Sequence, residues 1–176
     1  TIIYMLNCKI SKGVSGSCQP NVSGVLRMAI ANFDEGYTFT ASQGDCEIDA
    51  IDLGSEKAYE FAIMDGTGVA TSTGTIGGNS DSRYHQHSVG GSISKLDCGL
   101  LGDYNNFFLG NVIVFVETKN REVFAFGVDN GLRATTWEYT TGTAEGDGNG
   151  ISFVFEGAQP NAPIKIKDWS VVKALF

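Results

Sequence analysis

The chain has 176 residues, a length that fits one domain with its own hydrophobic core. Its 20 acidic side chains outnumber 12 basic ones and give a formal net charge of −8, which argues against gripping nucleic acid by phosphate neutralisation. No apolar run reaches the roughly 18 to 20 residues needed to span a bilayer, and the start of the sequence lacks the pattern of a secretory signal. We therefore expect a soluble, single-domain product made in a cytoplasm.

The composition is typical of a β protein. The sequence contains 23 glycines and 3 prolines, which suits short strands joined by tight turns, and so predicts a mostly antiparallel β domain. The cysteines show no CxxC spacing, so neither a zinc site nor a disulfide framework is predicted. We expect free and mostly buried thiols at these positions, which are Cys8, Cys18, Cys46 and Cys98.

The first 21 residues are rich in glycine, serine and asparagine, and are interpreted as an arm (1–21) with at most one short strand. The hydrophobic pattern then predicts three strands, at 24–32, 46–52 and 57–64. In the second strand apolar residues alternate with acidic ones at 47, 49 and 52, which predicts a half-buried strand with an acidic face.

Residues 65–82 consist almost entirely of glycine, serine, threonine, aspartate and asparagine, so they offer nothing from which a core could be built. A structureless stretch of this length is rare in a compact domain unless it has a function. We therefore predict a flexible inter-subunit loop that becomes ordered against a partner chain. The candidate contact residues within it are Gly66, Thr67, Gly68, Thr71, Thr73 and Gly78.

The second half of the sequence predicts a strand at 83–94 and the only plausible helix at 95–111. Four further strands joined by short turns predict an antiparallel meander, with bounds 112–118, 123–128, 132–140 and 150–156. The C-terminal extension, 158–176, is strongly apolar, so it either closes the sheet or docks on another subunit. Its candidate contact residues are Ile164, Ile166 and Trp169.

The sequence contains no recognisable catalytic centre. His85 and His87 would share one face of a strand, as some metal sites require, but no third ligand accompanies them and a partly exposed polar face is the default interpretation. Glu47 and Asp49 also share a face and could serve a glycosidase, although such alternation more often marks a solvated or lumen-facing surface. We expect no enzymatic activity, no cofactor and no bound metal.

Several motifs occur in a familiar order. They are Cys8 and Cys18 around a short glycine-containing stretch, the sequence Ala-Asn-Phe-Asp at 31–34, a tyrosine and histidine strand at 84–88, and VIVFVETKNREVFAFGVDNGLRATTWEYTTGTAEGDGNGISFVFEGAQPNAP at 112–163. In this order they resemble the major tail, or tail tube, proteins of long-tailed phages and prophages of Bacteroides-like bacteria. The resemblance covers most of the chain and is most specific over 112–163.

This resemblance implies a β-sandwich or incomplete barrel with one flanking short helix. It implies a virion protein, assembled in the host bacterial cytoplasm without a membrane, whose hexameric rings stack into a tube through which double-stranded DNA passes. The implied partners are further copies of the chain and the tape-measure and terminator proteins of the tail. An acidic lumen would repel phosphate and let DNA slide, and the candidate lumen-facing residues are Glu47, Asp49, Asp52 and Glu60.

Two alternatives remain open at this point. The first is another tail or neck component, such as a terminator or completion protein, which would form one ring instead of many. The second is a carbohydrate-binding β-sandwich module, for which Trp137, Tyr139 and Trp169 could supply stacking faces.

Overall fold

The computed structural model describes residues 13–16, 20–41, 46–78, 82–94, 105–106 and 109–176. Over these residues the secondary structure is mainly β, with one short helix near the end of the chain. The elements are β1 (Val25–Asn32), β2 (Thr38–Ala41), β3 (Ile48–Asp52), β4 (Ala58–Phe61), β5 (Val69–Ile76), β6 (Arg83–Ile93), β7 (Val112–Thr118), β8 (Val123–Phe126), β9 (Arg133–Thr140), β10 (Gly150–Gln159), β11 (Ile164–Ile166) and α1 (Trp169–Lys173).

The strands form two sheets. Sheet A has seven strands in the order β2-β3-β11-β8-β7-β1-β4, and sheet B has four in the order β5-β6-β10-β9. Neighbouring strands run antiparallel, apart from the parallel pair β11 and β3. The predicted mainly β fold with one short flanking helix is confirmed. It is consistent with a β-sandwich, and the described strands do not close into a barrel.

Sheet A is buried on both faces at its centre. Its inner face packs against sheet B through a core that includes Met28, Val114 and Phe153. Its outer face packs against α1 through a second core that includes Phe115 and Trp169. Six consecutive residues of β7 are therefore buried, and its sequence is a continuous apolar run instead of an alternating pattern.

The predicted meander of four strands is wrong, because the chain leaves sheet A after β8 and enters sheet B at β9. The crossing turn needs Gly127, whose φ is +78° and where an added Cβ would lie 2.5 Å from Leu132 Cγ. The buried Gln159 also holds this turn, since its amide accepts from the Asn130 N–H (2.9 Å) and donates to the Gly131 carbonyl (2.8 Å). Local turn signals locate such a crossing in sequence but do not show that the next strand joins another sheet.

The predicted structureless loop at 65–82 is also wrong over its central part. Residues Val69–Ile76 form β5, which pairs with β6 along all eight positions without a register shift. An edge strand can form from small polar residues because backbone hydrogen bonds to its neighbour hold it, and threonine suits the extended conformation.

The C-terminal extension closes sheet A, the first of the two alternatives that its composition left open. β11 lies between β3 and β8, and Asp168 then caps α1 by accepting a hydrogen bond from the Ser170 N–H at 2.8 Å. Ile166 and Trp169 are buried in the chain's own core, whereas Ile164 is half-buried.

Some predictions fall largely or wholly outside the described residues. They concern the arm up to residue 19 apart from 13–16, most of the helix at 95–111, and three of the cysteines, Cys8, Cys18 and Cys98. Cys46 is described and is exposed, so the expectation of a buried thiol is wrong there. Within the described part of the chain no helix is long and apolar enough to cross a membrane.

Candidate assembly interface

The open edge of sheet B at β5 is the first feature of a candidate assembly interface. β5 has a neighbour on one side only, and its eight residues, VATSTGTI, include neither a charged residue nor a proline. Natural edge strands are usually short or carry charges that block pairing with other chains. The other edges of the two sheets follow that rule, since β2 and β4 have four residues each and β9 carries Arg133 and Glu138. β5 is therefore the edge best suited to pairing with another chain.

The predicted inter-subunit residues have different environments around β5. Thr71 and Thr73 lie exposed on the strand, on the face turned away from sheet A. Thr67, in contrast, is half-buried, and its hydroxyl donates to the Met64 carbonyl at 2.7 Å.

The three glycines among these residues also differ in their environments. Gly68 packs against the body, where an added Cβ would lie 2.6 Å from the Cβ of Val25. Gly66 and Gly78 are exposed, and an added Cβ at either would meet no neighbour within 4 Å. Exposed contact candidates thus remain on β5 and at the two turns that flank it.

An apolar cleft lies beside this edge, between the two sheets. Its volume is about 350 Å³, which is within the range of protein ligand sites. β5 contributes one wall through Ala70 and Ser72, and sheet A contributes the other through Val116, Phe124 and Phe126. The cleft thus combines an apolar floor with an unpaired strand edge along its rim.

The cleft exists because sheet B has fewer strands than sheet A and covers only part of its inner face. Phe124 on β8 lies opposite Lys165 on β11, and residues directly opposite in a ladder share one face. Lys165 is thus on the uncovered side of the cleft, 2.9 Å from Glu47 and 3.9 Å from Glu122. The hydrogen bond with Glu47 raises the pKa of Lys165 above its ordinary value.

The four predicted lumen-facing acids do not form one surface. Glu47 pairs with Lys165, and Asp49 lies 3.5 Å from Lys167 Nζ, so lysines offset both carboxylates. Asp52 accepts a hydrogen bond from the Gly54 N–H at 2.8 Å and stabilises a turn. Glu60 lies on β4, at the opposite border of sheet A.

A buried charge cluster joins sheet A to α1. Glu117 on β7 is 4% exposed and forms ion pairs with Arg27 at 2.8 Å and Arg121 at 3.5 Å. The Arg27 guanidinium also lies 5.7 Å from the ring centroid of Trp169. Sequence reasoning missed this cluster, although a glutamate at the end of the apolar run VIVFVE was a signal for it.

His85 and His87 share a strand face as predicted, but that face points into the sandwich and His87 is buried. The prediction of a partly exposed face is therefore wrong for His87. Its Nδ1 accepts a hydrogen bond from the Gly127 N–H at 3.3 Å, and its ring meets Phe126 edge-on. Burial lowers the pKa of His87. Among the described residues, no group of three potential metal ligands is found.

The indoles proposed for sugar stacking are not available on the surface. Trp137 is 8% exposed and packs against Phe153, while Trp169, the first residue of α1, is 6% exposed and packs into the core below the helix. Tyr139 is exposed and has neither indole beside it on the surface. The observation that favoured a carbohydrate-binding module is therefore lost.

A scan against protein-family models matches no family, and searches of curated proteins and of solved structures find no match. The resemblance to tail tube proteins thus stays a prediction that depends on the sequence motifs.

Proposed function

We propose that the chain is a structural subunit that assembles with copies of itself, as a tail tube protein does when its hexameric rings stack into a conduit for double-stranded DNA. The observation that carries this proposal is the edge of β5, which is eight residues long, uncharged and free of proline. An edge of this kind invites pairing with another chain, and evolution normally removes it from proteins that stay monomeric. On this proposal the tape-measure and terminator proteins of a virion are the further partners.

A ring requires the β5 edge to contact a different surface of the next copy, because two β5 edges paired with each other would form a two-fold dimer. The edges of β5 and β9 in sheet B differ in charge, and those of sheet A are short, so the chain offers one strong pairing edge. A contact between β5 and a different surface of the next copy is heterologous, and heterologous contacts close into rings when the rotation allows it.

The negative net charge of the chain also supports a role as a conduit for DNA. With a net charge of −8, the assembled protein repels phosphate and so disfavours adhesion of DNA to its walls. Asp52 and Glu60 are exposed and remain the stronger lumen candidates, because the lysine partners of Glu47 and Asp49 neutralise much of their field.

The test is to place lysines on the β5 edge. In the variant T71K/T73K, we expect loss of rings and tubes, because the added charges oppose strand pairing in the way that natural edges do. The matched control is T136K/T140K, which adds the same charge on the exposed outer face of β9 and should assemble as the parent does. Mass photometry and negative-stain electron microscopy over a range of concentrations provide the measurement.

Each outcome has a defined meaning. Stacked tubes from the parent chain support a tube subunit, whereas single rings at every concentration support a terminator or completion protein. A parent chain that stays monomeric at all concentrations contradicts self-assembly. Equal assembly of T71K/T73K and its control would show that β5 is not the pairing edge.

A further inference from the structure

We propose that residues 1–6 of a second copy, TIIYML, occupy the apolar cleft and add a strand to the open edge of β5. This inference rests on the proposed self-assembly and names the segment that makes the contact.

The inner face of β5 lacks a cover in the single chain. Ser72 and Gly74 lie on the same face of β5 as Ala70, which packs against the core between the sheets. Both are nevertheless exposed. On the neighbouring strand, Val89 faces the same way and is fully buried. One more strand beside β5 would complete the inner layer at the point where the cleft now lies.

The chain enters the domain at the rim of this cleft. The Val22 N–H donates to Asn120 Oδ1 at 2.9 Å, and the Lys119 N–H donates to the Gly24 carbonyl at 3.0 Å. Gly24 itself lines the cleft. The segment that precedes residue 21 therefore starts beside a site of the kind it would fill in another copy.

The course of the chain before this anchor favours a neighbour over its own cleft. Val14 is fully exposed, and an added Cβ at Gly13 or Gly16 would meet no atom within 4 Å. This stretch thus stands away from its own domain. The chain from Leu6 to Asn21 spans at most about 50 Å when extended, which exceeds the roughly 16 Å radius of gyration expected for a domain of this size.

The composition of residues 1–6 fits the cleft. The segment has no charged side chain, and Ile2, Ile3 and Tyr4 are residue types that favour strands. In an extended conformation every second side chain would enter the cleft beside Phe124, while the backbone pairs with β5. Apolar side chains that would otherwise face water then become buried, which drives the association.

The first experiment is photo-crosslinking of the full chain with p-benzoylphenylalanine in place of Tyr4. Unlabelled and ¹⁵N-labelled chains are purified separately, mixed at concentrations that allow assembly, irradiated and analysed by mass spectrometry. We expect crosslinks to residues 69–72 or to Phe124, with the two peptides carrying different isotopes. Crosslinks to the cleft that join only peptides of the same isotope would show that the segment fills its own cleft and would overturn the second-copy proposal.

The second experiment fills the cleft. Ser72→Phe places a ring in the cleft and should raise the concentration needed for half-maximal assembly by about tenfold or more. Thr71→Phe is the matched control, because it adds the same ring one residue away on the outer face and leaves the backbone edge free. Both positions are exposed, so neither variant is expected to unfold, and circular dichroism verifies this. Assembly of Ser72→Phe at the parent concentration would overturn the proposal.

The failures of the two proposals are distinguishable. Rings or tubes in which Tyr4 crosslinks lie outside the cleft would overturn this inference and leave self-assembly intact. A small molecule that co-purifies in the cleft and blocks crosslinking would likewise identify a different occupant. A chain that remains monomeric at every concentration would overturn both.

Discussion

At the scale of single residues, Glu117 holds together three elements that the sequence separates widely. Burying a carboxylate costs several kcal/mol unless good partners compensate, and here Arg27, Arg121 and the nearby ring of Trp169 complete the arrangement. Arg27 and Glu117 are directly opposite each other on β1 and β7, so the pair also fixes the register of these strands.

Removing one member of this pair should cost more than removing both. Arg27→Met keeps the aliphatic stem but leaves the buried Glu117 with only the longer ion pair to the exposed Arg121. We therefore expect a loss of about 2–3 kcal/mol in the free energy of unfolding. The double variant R27M/E117Q should recover part of this loss, as measured by urea unfolding. Arg121→Met is the control, since its side chain is 67% exposed and should cost less than about 1 kcal/mol. Additive losses in the double variant would contradict the coupling.

His87 predicts a loss of stability in mild acid. Burial lowers its pKa in the folded state, with smaller opposing contributions from the Asn161 backbone and Asp129, so the unfolded chain binds a proton more readily. The stability contribution is complete above the unfolded pKa of about 6.5 and falls as the pH decreases below it. In His87→Gln, which can still accept from Gly127, the free energy of unfolding should decrease less between pH 7 and pH 5 than in the parent.

A separate group of carboxylates acts at lower pH. Hydrogen bonds from the backbone of Ala144 and Thr143 lower the pKa of Asp147, so its contribution is present above about pH 4 and is lost below it. The difference in slope between the parent and His87→Gln from pH 7 to pH 5 can therefore be assigned to His87. Identical slopes for the parent and His87→Gln would exclude His87 as its source.

At the scale of elements, α1 is too short to be stable without its tertiary contacts. It has five residues, and its stability depends on the cap at Asp168 and on burial of Trp169 and Val172. Trp169→Ala should lower the free energy of unfolding by about 3 kcal/mol or more, as measured by thermal or urea unfolding. Lys173→Ala, on the exposed face, should change it by less than about 0.5 kcal/mol.

The same variant tests the earlier assignment of Trp169 to a subunit contact. Because the indole packs within its own chain, Trp169→Ala should assemble as the parent does at temperatures where it remains folded. Loss of assembly in a folded variant would instead return Trp169 to the interface.

The sequence predicts those strands well that carry a strong apolar pattern. β1, β6 and β7 lie within one residue of their predicted bounds, because packing against a core decides both the pattern and the structure. β5 could not be predicted, since its composition is that of a loop and the backbone of β6 makes it a strand. The expectation from composition that this region contacts other chains stays a prediction.

The candidate interface could be predicted only in part. The cleft brings together residues of β1, β5, β7 and β8. No local sequence pattern indicates that these four strands lie close together. The ion pairs of Glu47 with Lys165 and of Asp49 with Lys167 likewise depend on the parallel pairing of β3 with β11. Sequence alternation showed that the acids share a face but not that basic residues neighbour them.

At the scale of the whole molecule, the unequal size of the two sheets explains most of the surface features. Seven strands in sheet A and four in sheet B leave part of the inner face of sheet A uncovered. Where that face is apolar it forms the cleft, and where it continues onto β11 and β3 it carries alternating charges. The helix α1 covers the opposite face, so sheet A is the structural centre of the protein.

The position of β11 within sheet A has a consequence for biosynthesis. This strand lies between β3 and β8, so the sheet cannot be completed until residue 166 has left the ribosome. At translation rates of 5–20 residues per second, the 90 residues from the end of β5 to the end of β11 take roughly 5 to 20 seconds. During this interval β5 is already synthesised while the gap between β3 and β8 is still open, so a nascent chain contains the edge proposed for pairing before sheet A is complete. Polysomes that translate many copies side by side would therefore need to keep these chains apart until the last strand is inserted.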